Sequence, residues 1–128
     1  MAIPDLPMED DLWGRILRDY YGGGDDPVAL RRDDGYEDHI PGFPATYFLD
    51  PPDDEQALLA DVGHRVLDIG CGPGRHSLWL QAQGHEVVSL DSSPGAMQLA
   101  RERGCREVVC QDAREVDLPP QSIDAVIF

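Results

Sequence analysis

The alternation of apolar and polar positions changes character near residue 60. Ahead of that point, Leu12, Trp13, Ile16, Leu17, Tyr20 and Tyr21 fall on one stripe at helical spacing within residues 9–21. The run Gly22, Gly23, Gly24 then stops the helix. Residues 25–52 carry Asp-Asp-Pro, Asp-Asp-Gly, Ile-Pro-Gly-Phe-Pro and Asp-Pro-Pro, and they read as a series of turns. A short helix is expected over 53–62, with Ala57, Leu58 and Val62 on its apolar side and an acid capping its start.

After His64, short apolar runs alternate with helical segments. The pattern predicts strands over 65–69, 86–90 and 107–110, and the start of a fourth over 123–128. Between them it predicts helices over 74–83, closed by Gly84, and over 94–103, closed by Gly104. Ser92 or Ser93 can cap the second of these, and Pro94 suits its first turn. Strands alternating with helices imply parallel pairing and right-handed crossovers, hence an α/β doubly wound sheet behind an N-terminal cap of helix and loops. The expected division is a cap over 1–52 and a sheet domain over 53–128. A fourth strand would be central in such a sheet, yet the chain runs out inside it. The sequence therefore reads as truncated after strand four, or as having its sheet completed by self-association through that strand's edge.

The run Val-Leu-Asp-Ile-Gly-Cys-Gly-Pro-Gly over residues 66–74 carries the chemistry. It passes from a strand into a helix. Gly70 permits a sharp turn, Gly72 lets backbone approach a ligand, and Gly74 opens a helix whose free N–H groups favour an anionic or polar group. Asp68 stands at the carboxyl end of its strand, in the crevice where open α/β sheets bind ligands, and can face an ammonium group there. Asp91 ends the next strand, where a carboxylate can bridge two ribose hydroxyls. Gln111, Asp112 and Ala113 follow the third strand, and Asp117-Leu-Pro119 leads toward the fourth.

In this order and spacing, over about residues 65–128, these features resemble the class I, Rossmann-like methyltransferases that use S-adenosylmethionine (SAM). The resemblance implies that Asp68 and the backbone of Gly70, Cys71, Gly72 and Gly74 hold the methionine end of SAM. Asp91 and Ser92 would hold the ribose, and Asp112 and Ala113 would line the adenine. It implies methyl transfer to an O, N, S or C nucleophile, with the cofactor carrying the difficult chemistry and the protein supplying position. No general base is identifiable. Cys71 reads as a small filler beside the cofactor, Met97 as a core residue with packing near the adenine as the alternative, and His76 as a capping or packing residue with approach to the cofactor or substrate as the alternative.

Several classes fall away. A nicotinamide or flavin site would need GxGxxG, and Arg75 stands where its third glycine would be. A P-loop needs a lysine, and the chain has none. Asp25-Asp26 and Asp33-Asp34-Gly lack a calcium-loop pattern, and no CxxC or HxxxH spacing suggests zinc. Cys71, Cys105 and Cys110, with no export signal ahead of them, read as reduced thiols in a cytoplasmic protein. No apolar run approaches a membrane span. Of the net charge of -15, residues 1–61 carry -12, from 16 acids and 4 arginines. Residues 62–128 carry -3, from 9 acids and 6 arginines. So acidic a surface repels phosphate backbones, which favours a small-molecule or protein methyl acceptor over nucleic acid. The alternatives left open are a non-catalytic SAM-binding module, an inert fragment and, more remotely, an NAD(P)-binding domain.

Overall fold

The computed structural model describes residue 3 and residues 10–128. The first turn predicted at Glu9 lies outside them. Helix α1 (Leu12–Tyr21) starts at Asp11, whose side chain accepts from the Gly14 N–H, and ends at Gly22. Its stripe buries Leu17 completely. Trp13 meets Phe43 and Tyr47 edge-on, while Tyr20 and Tyr21 lie against Phe48.

The segment predicted as turns contains more structure than that. Strands β1 (Val28–Arg31) and β2 (Glu37–Ile40) form an antiparallel hairpin, and a 3-10 helix spans Phe43–Phe48. The hairpin leaves no trace in the hydrophobic pattern because almost every residue on both its faces is exposed. Its turn is the Asp33-Asp34-Gly35 segment, where Gly35 takes φ +87° and the Asp34 carboxylate accepts from Tyr36 N–H. Asp34 thus has a structural duty.

Helix α2 (Asp53–Leu59) is shorter than predicted and has no side-chain cap. Asp53, Asp54 and Glu55 instead lie in its first turn, where acids favour the positive end of the helix dipole.

The main sheet joins β3 (Arg65–Ile69), β4 (Glu86–Asp91), β5 (Glu107–Cys110) and β6 (Ala125–Ile127), all parallel in the order β5-β4-β3-β6. Helices α3 (Arg75–Ala82) and α4 (Pro94–Arg103) supply the crossovers between β3, β4 and β5. The register Val66↔Val87 and Leu67↔Val88 stacks like residues across strands. One face packs Val66 and Val87 against Leu59 and Leu80; the other packs Leu67, Val88 and Leu90 against Val109, Leu118 and Ile123. The fold is thus a Rossmann-like α/β sheet, as the sequence implies.

The chain order reverses at β3, which has β4 on one side and β6 on the other. A crevice forms at the carboxyl ends of strands at such a reversal. At the opposite ends the strands are laced together. Arg65 reaches Glu86 (3.2 Å) and Glu107 (3.1 Å), and the Asp124 carboxylate accepts from the N–H groups of His64 (2.9 Å) and Arg65 (2.8 Å). Among the described residues β6 pairs only with β3, and no helix is long and apolar enough to cross a membrane.

Candidate functional site

The glycine loop leaves β3 and is tied at once to the neighbouring strand. The N–H groups of Gly70 and Cys71 both donate to the Leu90 carbonyl, at 2.8 and 3.0 Å. Gly70 and Gly72 have φ of +71° and +53°, and a Cβ built on either would meet nothing within 4 Å. Of the two, only Gly70 is exposed, and there the loop presents bare backbone that a side chain would cover. Gly74 differs: its φ is +92°, and a Cβ there would lie 2.5 Å from Cys105 Sγ. Here the missing side chain permits close internal packing. The Cys71 side chain also turns inward, onto Met97, Ala100 and Cys105, and burial pushes its thiol far above the ordinary range.

Two clefts flank this loop, and Ile69 and Gly70 line both. The first, about 330 Å³, is walled by Asp68, Glu55, His76 and Ile127 among others. The second, about 250 Å³, is walled by Asp91, Ser92, Gln111, Asp112 and Ala113. The structure thus places Asp68, Gly70, Asp91, Ser92, Asp112 and Ala113 in a groove made of two clefts that meet at Ile69 and Gly70. Cys71, Gly72 and Gly74 are buried behind it.

Asp68 is only 3% exposed. Its Oδ2 accepts the Ser77 hydroxyl at 2.7 Å, and Ser77 Oγ in turn accepts from the Ser89 hydroxyl at 2.7 Å. Burial pushes its carboxyl up; the Ser77 hydroxyl and backbone N–H and nearby His76 pull it back, and the Asp91 charge pushes it up further. Gly74 gives α3 no side-chain cap, so Asp68, reaching Ser77 from the adjacent strand, satisfies that helix start.

Asp91 is held at both oxygens: Oδ2 accepts from Gly72 N–H at 2.9 Å and Oδ1 from Ser93 N–H at 3.0 Å. Asp112 caps the short 3-10 helix Ala113–Glu115 and takes two hydrogen bonds from the Arg114 guanidinium, at 2.9 and 2.6 Å. That guanidinium holds the Asp112 carboxyl well below the usual range, helped by the Arg114 N–H.

One pair in the groove has no counterpart in the sequence motifs. His76 Nε2 lies 2.8 Å from Glu55 Oε2, joining α3 to α2 in the wall of the first cleft. His76 adjoins the glycine loop in sequence, but nothing marks Glu55 as its partner. Met97 is fully buried in the core behind Cys71.

Residues 66–128 match a family model described as a methyltransferase domain. These residues belong to the class I methyltransferase family. The chain is similar to a SAM-dependent methyltransferase from Bacteroides fragilis, solved in complex with S-adenosyl-L-homocysteine, with a TM-score of 0.68 and 32% identity over 80% of this chain. The chain spans 44% of that protein. It also aligns, at a TM-score of 0.47 and 14% identity, with the plantazolicin methyltransferase BpumL, covering 92% of this chain and 46% of that one. Likeness that loose carries no argument. Among curated proteins none matches. In the methyltransferase domain, Arg75 opens α3 where a dinucleotide fingerprint has its third glycine, and its Nε is buried without a hydrogen-bond partner.

Proposed function

We propose that this protein is a SAM-dependent methyltransferase whose groove binds SAM across the glycine loop. The observation that carries this reading is the pair of clefts joined at Ile69 and Gly70, with an acid at the end of each contributing strand. When bound, SAM would supply an electrophilic methyl group. The groove fits it chemically. Bare backbone at Gly70 allows close approach, Asp68 is an acid for an ammonium group, Asp91 an acid for ribose hydroxyls, and Asp112 an acceptor in the second cleft.

In this assignment Asp68 and the backbone of Gly70, Cys71, Gly72 and Gly74 hold the methionine end. Asp91 and Ser92 hold the ribose, and Asp112 and Ala113 line the base. Residues 53–128 form the cofactor domain and residues 1–52 its cap. The acceptor is a small molecule or a protein; the acidic charge works against nucleic acid. A cytoplasmic location and association through the free edge of β6 complete the proposal.

Calorimetric titration with S-adenosyl-L-homocysteine tests the cofactor. Saturable heat with that ligand and none with NADH is the expected result. Heat with NADH alone would overturn the reading, and appearance of methylated product in the presence of a candidate acceptor would separate an enzyme from a binding module.

A further inference from the structure

Asp11 belongs to no motif, yet it is buried where two helices begin. Its Oδ1 accepts from Gly14 N–H (2.9 Å) and from the Ser93 hydroxyl (2.8 Å), and its Oδ2 accepts from Gly95 N–H (2.7 Å). One carboxylate therefore serves the start of α1 and the start of α4. The two backbones touch at this point. A Cβ on Gly14 would lie 2.7 Å from Gly95 Cα, and one on Gly95 would lie 2.7 Å from Gly14 Cα.

Ser93 links this junction to the groove. Its Oγ accepts from Ala96 N–H at 3.1 Å, capping α4, while its own N–H donates to Asp91 Oδ1 at 3.0 Å. The other Asp91 oxygen takes the Gly72 N–H. A continuous hydrogen-bonded path thus runs from the N-terminal helix through Ser93 and Asp91 to the glycine loop. Asp91 is partly exposed at a strand end, where a carboxylate is free to turn unless donors fix it. A ligand that meets a pre-fixed carboxylate loses less entropy on binding.

We propose that Asp11 is a positioning residue for the cofactor site. By fixing Ser93 it fixes the N–H that orients Asp91, so the N-terminal helix helps to set affinity for the nucleoside part of SAM. This rests on the reading of Asp91 as the ribose acid. The test is titration of S-adenosyl-L-homocysteine into the full-length protein and its variants, with Tm measured alongside. Asp11→Ala weakens binding about tenfold, the effect of leaving buried donors unpaired and Asp91 free to turn. Asp11→Asn keeps an acceptor for the Ser93 hydroxyl but offers Gly95 N–H none. It restores most of the affinity while Tm stays low, whereas a residue that only held the fold together would move both in step.

Asp91→Asn also weakens binding, and adding Asp11→Ala to it costs little more, because the path ends at Asp91. Wild-type affinity in Asp11→Ala, affinity and Tm moving together across the two Asp11 variants, or losses that simply add, would each overturn the inference while leaving the site reading intact. Wild-type affinity in Asp91→Asn would overturn the ribose assignment itself. Should Asp11→Ala fail to fold, Ser93→Ala cuts the same link from the other side. It is expected to weaken binding to the same degree, and unchanged affinity there overturns the inference.

Discussion

The two sides of the glycine loop each place an aspartate near the carboxyl end of a strand, Asp68 inside β3 and Asp112 just past β5, and treat them in opposite ways. On the first side Asp68 is buried behind the loop, its donors are the hydroxyl and N–H of Ser77, and its carboxyl is pushed up. On the second side Asp112 stands at the rim, gripped by a guanidinium, and its carboxyl is held down. Asp91 sits between them with a backbone N–H on each oxygen. Position at a strand end makes an acid available to a ligand. What surrounds it decides whether its charge is already engaged or held in reserve for a ligand's charge.

Both sides hang from the loop, so the largest effect comes from its root. Gly74→Ala puts a Cβ against Cys105 in a left-handed backbone conformation, and it should cost about 2–4 kcal/mol of unfolding free energy in a denaturant titration. Such a loss removes both clefts together; loss of one alone would show that the loop is not their common support. Next comes Ser77→Ala, which takes a hydroxyl from a buried carboxylate and should cost about 1–3 kcal/mol by the same measurement. A neutral result would mean that Asp68 is not held as its geometry indicates.

The pH dependence separates the two sides by sign. Asp68 titrates above its ordinary 3.8 in the folded protein, so the fold retains a proton that the unfolded chain has lost. Its contribution is full below 3.8 and is lost as pH rises through the folded value. Asp112 runs the other way: its contribution is present above 3.8 and is lost as pH falls toward its depressed folded value. Asp68→Asn should therefore flatten the decline in stability on the rising-pH side, and Asp112→Asn should soften the decline on the acid side. Slopes unchanged in Asp68→Asn would remove the contrast. The smallest effect is expected from Arg114→Ala. Its ion pair with Asp112 is solvent-exposed, so the fall in Tm at neutral pH should be small and should fade in acid, while the pKa of Asp112, followed by NMR, moves back toward its ordinary value.

The sheet could be read in the sequence because its strands are apolar on both faces and its turns carry glycine or proline. Asp68, Asp91 and Asp112 were legible for the same reason, each closing or following such a run. The hairpin at Val28–Arg31 and Glu37–Ile40 was not, since exposed strands show no hydrophobic period. Asp11 looked like one acid in an acidic segment. Its role arises from two helix starts, 84 residues apart between Asp11 and Gly95, that meet only after folding. The Glu55–His76 pair was hidden similarly, its two residues lying on helices separated by a strand and the glycine loop.

The lacing of the strands around Arg65 and Asp124 lies at the end of the sheet away from the groove. Part of it is ionic and partly exposed, so dissolved salt screens it, whereas the backbone bonds that anchor the glycine loop to Leu90 carry no net charge. Ionic strength is thereby a dial that loosens the foot of the sheet while its ligand-facing rim keeps its shape.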